Sequence, residues 1–526
     1  MKLGIDFGTC FSFVSTMIGN DIRTSLVDNE YNNAGVPTLF YHDGKRTICG
    51  NNAKHLGATN PEYLVSAIKR DLKEHPDRAK VGTTYTYKNT GCTGEQIVEN
   101  YITYLVEMAK KNAGEQGLPG GKTIDEVVIT APVGFDMHGQ KETDGIAAYR
   151  EMLRRATEKV TKLPRNKVHI IGEPEAAAMY YFHRNPSDKK ETVLVYDLGG
   201  GTFDAAIVEY DPSASKKYSV LATGGDTKLG GMDWDNCIKN IIKRKTNFPS
   251  VKGENGVDVP EDSNQRLQYE SAVTEAKIAL SRQQKGVILF NVKGTDYMPL
   301  VTRDEFESES ANLLNKTIDV IKTGTLPNYE RIKGYPRGTG INHIDKIILV
   351  GGASQMPQVR NKLVEEFGEK IQSSNIVSES PQLAIACGAV LYNEKNTVMR
   401  TNYTYGIKVI DSKDCYSISN ILKKGVEFNG SYVEQYREGY SPHNEYQDQV
   451  LIETYISDSN EDSIPLYSAK KANEFRFNVR LTNGITKAKD MSYKVTFKVT
   501  RDNVVEITVI DQFGNIAGEH RYSGDT

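Results

Sequence analysis

The chain has 526 residues, 38% hydrophobic and 25% charged, with a net charge of -3. That length exceeds one ordinary core and predicts two or more domains, while the near-neutral balance argues against a generic nucleic-acid or membrane surface. Its six cysteines form no C-x-x-C pair, so the spacing suggests neither a zinc site nor a disulfide framework and fits reduced thiols in a cytoplasmic compartment.

The N-terminus, Met1 to Ile5, already leads into Asp6 and reads as no signal peptide. A hydrophobic strand ending at Asp6 runs through Phe7-Gly8-Thr9 into an alternating strand from Phe11 to Met17. Lys69, in Ala67-Ile68-Lys69-Arg70, reads by itself as a solvated helix lysine. Ile170 and Ile171 end a strand, Pro174 marks a helix start, and Ala176, Ala177 and Ala178 allow close helix packing. Glu173 there either faces a cleft or serves the helix dipole. Val193 to Asp197 is again a strand, followed by Leu198-Gly199-Gly200-Gly201-Thr202 and a second strand from Phe203 to Val208. Asn247 to Asp262 reads as a Gly- and Lys-rich surface loop. Ile347 to Val350 is a buried strand entering Gly351-Gly352, with a helix expected from Gln355 to Phe367. The longest apolar run, Ala384 to Tyr392, is too short to span a bilayer. Residues 393–402 read as a linker, and from Tyr403 short alternating runs predict a β-meander. In it Tyr493, Val495, Phe497 and Val499 share a face, Arg501 to Asn503 turns, and Val505, Ile507 and Val509 alternate again.

The two strand–Asp–glycine–Thr–strand units form an internal repeat and predict a duplicated α/β domain with a cleft between its halves. Glycine tips let backbone N–H groups approach phosphate oxygens, and an Asp at each strand end suits a magnesium ion that keeps several waters. Tight turns with no ligand are the alternative for either hairpin alone.

Asp197-Leu198-Gly199-Gly200-Gly201-Thr202-Phe203-Asp204 closely resembles the phosphate motif of the seventy-kilodalton heat-shock (DnaK-type) chaperone family. So do Gly4 to Thr9, Glu173-Pro174 with its alanines, Gly225 to Gly231, Val350-Gly351-Gly352 and Gly388-Ala389, in that family's order. The resemblance covers essentially the whole chain and is looser in the last quarter. It implies an actin-like ATPase of duplicated ribonuclease-H-like lobes at 1–392, with lobes about 1–188 and 189–376, a linker at 393–402 and an all-β sandwich at 403–526.

The implied activity is hydrolysis of ATP to ADP and phosphate with water as acceptor. Asp6 and Asp197 would hold Mg2+ through water, with K+ sites nearby. Gly8, Thr9, Cys10, Gly199, Gly200, Gly201, Thr202, Gly230, Lys277, Ser281, Gly351 and Gly352 would contact the nucleotide. Lys69 would face the γ-phosphate and attacking water, with Glu173 and Asp204 orienting water. The sandwich would bind extended apolar peptide, with Ile410 and Val450 as lining candidates; sandwich core is the alternative for both. A monomer working with J-domain and nucleotide-exchange partners is implied.

The departures fall on the base side and at the linker. Ile278 and Gln355 stand where the family brackets adenine with arginines, Thr274 where it keeps a ribose-side glutamate, and Gln382 where it keeps an acid. Thr397-Val398-Met399-Arg400 replaces the family's leucine-rich linker, and His169 and Gly172 replace its J-domain docking pair. The sequence ends soon after the last strand, without the family's helical lid, so it reads as lidless or as a truncated piece. Three rivals share the superfold: a small-molecule kinase, which needs an acceptor pocket with a carboxylate base; a nucleotide sensor with little turnover; and a filament former, which leaves the sandwich unexplained.

Overall fold

The computed structural model describes residues 1–18, 21–24, 35–115, 123–132, 143–214, 217–253, 256–378, 381–393, 397–398, 401, 403–410, 415–428, 432–457, 459–500 and 504–523. The turn expected at 501–503, and linker residues 394–396, 399, 400 and 402, lie outside them. Two compact units result, Met1–Ala214 with Val220–Asn393, and Ser215–Ser219 with Glu394–Thr526.

The first unit holds two mixed sheets of one topology. The first has the order Asp21–Thr24, Phe11–Ile18, Lys2–Asp6, Glu126–Ala131, Val168–Gly172. The second has the order Tyr218–Asp226, Phe203–Tyr210, Glu191–Leu198, Lys346–Val350, Ile376–Val377. In each, the strand that carries the Asp near its end pairs antiparallel with the strand after its glycine tip and parallel with a later strand: Ile5 opposite Val14 and Ile129, Val195 opposite Ala206 and Ile348. The repeated sequence unit is thus a repeated sheet centre. Both central strands are buried along almost their whole length, which explains their near-continuous apolar runs.

The apolar run Ala384 to Tyr392 is mostly the buried helix Ala384–Leu391. It packs so tightly that a Cβ on Gly388 would lie 1.7 Å from the carbonyl oxygen of Ala176, and one on Gly4 2.4 Å from that of Ala386. The small residues of Glu173–Arg184 therefore serve close packing as their composition suggests. Among the described residues no helix is long and apolar enough to cross a membrane.

Two expected elements differ. The segment Asn247 to Asp262 contains a two-stranded ladder, Val251–Lys252 with Asp258–Val259, because Phe248, Val257 and Val259 bury in the core of the second sheet's half. The helix expected from Gln355 begins at Pro357, with Met356 as its N-cap and a separate 3-10 turn at Gly352–Gln355. Proline fixes the first turn of that helix, so the diglycine opens the short 3-10 turn, with Gly351 as its N-cap, and not an α-helix.

The second unit contains a five-stranded sheet and a four-stranded sheet. The larger has the order Ser463–Pro465, Tyr416–Leu422, Thr404–Ile410, Gln449–Ser457, Lys470–Asn478; the smaller is Tyr432–Tyr440, Tyr493–Thr500, Val504–Asp511, Ile516–Ser523. Tyr405, Ile452 and Phe477 of one share a core with Val495, Phe497, Val505, Ile507 and Val509 of the other. The alternating residues of the expected meander thus form the inner face. Thr397–Val398 is a short strand of this unit.

Candidate functional site

The two glycine tips meet. A Cβ on Gly200 would lie 2.5 Å from the Cys10 sulfur, and one on Gly201 2.7 Å from Cγ2 of Thr9. Gly230 closes on the second tip, where a Cβ would lie 2.4 Å from the carbonyl carbon of Gly201. The Gly231 N–H donates to Gly199 O at 2.9 Å and the Met232 N–H to Gly200 O at 2.8 Å. Gly8 turns so sharply that a Cβ would sit 2.0 Å from Phe11 O. Gly351, at φ +80°, leaves no room beside Leu198 O and the Asp197 carboxylate, whereas Gly352 is open, with only Gln382 3.9 Å away. These glycines are needed for close approach, and Gly352 is not.

Beneath the tips lies a buried charged cluster. Asp6, Glu173, Asp197, Asp204, Thr9, Thr202 and Lys69 are all buried. Lys69 forms an ion pair with Glu173, the first residue of its helix. Its solvated-lysine reading is therefore wrong: Lys69 is 2% exposed because Glu173 draws it inward. Burial pushes the Asp6 carboxyl up to about 7, with Glu173 adding to the rise and Lys69 and the Thr130 hydroxyl opposing it. Burial, then the charges of Glu173, Asp204 and Asp6, raise Asp197 well above its ordinary range. Burial works against the Lys69 charge, yet Glu173 and Asp6 outweigh it and raise its pKa. Asp197 and Asp204 are directly opposed across their hairpin, an arrangement of like charges that is destabilising without a cation. One Asp197 oxygen is buried without a hydrogen-bond partner.

On the second sheet's side, Lys277 donates to Gly231 O at 2.7 Å and pairs with Asp235 at 2.8 Å. Thr274 donates to Asp235 at 3.2 Å and Ser281 to Lys277 O at 3.4 Å. Ile278 is 51% exposed, and Gln355 is exposed.

Two features escaped the sequence reading. Arg70 grips Asp233 with both terminal nitrogens, at 3.1 and 3.2 Å, and Lys228 O at 3.3 Å, tying the two halves together. Lys73 is buried with no hydrogen-bond partner for its ammonium; burial, then Lys69, lowers its pKa to about 7. Its four-residue spacing from Lys69 was the available signal.

In the sandwich, Val450 pairs with Phe477 and packs against the core. Ile410 ends its strand opposite Tyr416 and is 37% exposed. Ile407 and Val409 lie on the core side, so alternation turns Ile410 to the other face. The two candidates do not share a face.

Two α/β sheets of one topology with opposed glycine hairpins, accompanied by an all-β unit, are consistent with the architecture of the heat-shock chaperones. The chain belongs to the Hsp70 family: the family described as "Hsp70 protein" matches residues 2–517. It is similar to proteins named "Chaperone protein DnaK" from two strains of Halobacterium salinarum, each 30% identical over 410 residues. Those matches cover 76% of this chain and 58% of each relative's own length.

Proposed function

We propose that this chain is an ATP-dependent chaperone-like protein. Its actin-like first unit hydrolyses ATP to ADP and phosphate, and its sandwich binds extended apolar peptide segments. The observation that carries the reading is the packing of Gly200 and Gly201 onto Cys10 and Thr9 above the Lys69–Glu173 pair. Glycines at these tips let backbone N–H groups approach phosphate oxygens without a Cβ in the way, and the Thr9 and Thr202 hydroxyls add donors.

A magnesium ion fits this donor set. The Asp197 oxygen without a partner and the opposed Asp197 and Asp204 carboxylates call for a cation. Among the described residues no three His, Cys, Asp or Glu side chains converge as direct ligands, so Asp6 and Asp197 would hold the ion through its waters. When bound, Mg2+ neutralises charge on the β- and γ-phosphates. Thr9 and Thr202 donate hydroxyls to phosphate oxygens. The Lys69 ammonium offsets charge developing on the transferred phosphoryl group. Glu173, fixed by that lysine, accepts a hydrogen bond from the attacking water and holds it in line, with Asp204 beside it. The ribose side is served by Lys277 and Ser281, with Ile278 packing on the base in place of a cation.

For peptide, the observations favour the outer face of the five-stranded sheet, where Ile410, Tyr416 and Leu451 are exposed. An extended segment there would use backbone hydrogen bonds and apolar contacts. The test is phosphate release from Mg-ATP with and without an unstructured apolar peptide. Turnover that rises with peptide supports the chaperone reading. Nucleotide binding without turnover would favour a sensor, and a phosphorylated small molecule a kinase.

A further inference from the structure

Lys73 lies four residues from Lys69 on the helix Ile68–Glu74, and both side chains are buried. The local carboxylates are committed elsewhere: Asp71 to Arg78 at 2.5 Å, Glu74 to Arg70 at 2.9 Å. The charged groups around the Lys73 ammonium are Lys69, Asp204, Glu173 and Arg70, which come from both halves of the cleft. Yet it hydrogen-bonds to none of them. A structural counter-ion would be seated on a carboxylate, as Lys69 is on Glu173. Two buried ammonium groups on one helix face, one with every donor unused, instead suit an anion from outside the protein.

We propose that Lys73 is a second phosphate-binding lysine, whose ammonium donates to the terminal phosphate of a bound nucleoside triphosphate and so favours triphosphate over diphosphate. The inference rests on the nucleotide reading above. An ammonium reaching only the last phosphate contributes to ATP binding and nothing to ADP binding. Replacing it therefore narrows the preference between them without changing the rest of the site.

The test is calorimetric titration of the whole chain with Mg-ADP and with the magnesium complex of the β,γ-imido ATP analogue, for wild type, Lys73→Met and Lys73→Arg. Lys73→Met is expected to weaken the analogue by about tenfold or more, as charge-assisted bonds of this kind do, and ADP by less than about twofold. Lys73→Arg keeps the charge and retains most of the preference. Thermal melting without nucleotide adds a folding readout: removal of a buried ammonium without a partner raises the Tm in Lys73→Met. Equal loss for both nucleotides, no loss for either, or a lowered Tm would overturn the proposal while leaving the nucleotide site standing. Absence of binding by the wild type would overturn both.

Discussion

Gly201 and Thr9, 192 positions apart in sequence order, stand so close that a Cβ on the glycine would lie 2.7 Å from the threonine's methyl carbon and 2.8 Å from its hydroxyl. This contact joins the tips of two hairpins from two sheets. Cleft geometry therefore depends on the size of single atoms at the tips.

A glycine-to-alanine series follows from that contact. Gly230→Ala meets backbone of Gly201 at 2.4 Å, which cannot rotate away, and should destabilise by about 3 kcal/mol, the upper end for overpacking. Gly201→Ala meets a side chain, and is expected to cost about 1–2 kcal/mol while weakening nucleotide binding by moving the tips apart. Gly352→Ala, in open space, should stay within about 0.5 kcal/mol of wild type. Chemical denaturation with nucleotide titration measures the three; equal costs would contradict the proposed contacts.

Lys69→Ala should retain nucleotide binding and slow turnover by at least about tenfold, through loss of charge stabilisation in the transition state. It also leaves Glu173 buried without its cation, and breaking such a pair costs about 3–5 kcal/mol. Combining Lys69→Met with Glu173→Gln should restore most of that stability and none of the activity. Single-turnover phosphate release and urea melts separate the two effects. Recovery of activity in the double variant would show that the pair is structural only.

The Asp6 carboxyl, raised from 3.8 to about 7 by burial and then Glu173, gives a signed pH dependence. In the metal-free protein its contribution to stability is fully present below 3.8 and is lost as pH rises through about 7, because the folded state holds the proton more tightly. Magnesium needs the ionised form, so Mg2+ affinity should rise through the same window. Lys73, lowered to about 7 by burial and then Lys69, makes a stability contribution of opposite slope, present at high pH and lost as pH falls through about 7. Asp6→Asn isolates the first effect by removing it. Thermal melts across a pH series, with and without Mg2+, should show that change; an unchanged profile in Asp6→Asn would assign the titration elsewhere.

In the sandwich, Ile410→Asp is expected to abolish binding of a labelled apolar peptide while leaving Tm within a few degrees, since Ile410 is already 37% exposed. Val450→Asp places a charge against the core and should unfold the sandwich, at a cost of about 3 kcal/mol or more. Fluorescence anisotropy and circular dichroism distinguish them. Peptide binding that survives Ile410→Asp would move the groove off the outer face.

Much of the architecture was legible because it is written in short local patterns. The strand–Asp–glycine–Thr units name both sheet centres, and alternation through Tyr493 to Val509 names the inner face of a sandwich. Glycine, alternation and turn chemistry act within a few residues, so the chain itself carries them. Tertiary structure decided what each charge does. Lys69 meets a carboxylate 104 residues away and Arg70 one 163 residues away, and no local pattern distinguishes either from a solvated helix residue. The opposite facing of Ile410 and Val450, the isolation of Lys73, and the exchange of a helix N-terminus for a close backbone contact at Gly351 likewise arise only when distant segments exclude water from one place. Burial and electrostatic partnership are properties of the packed cleft, and the order of residues alone does not contain them.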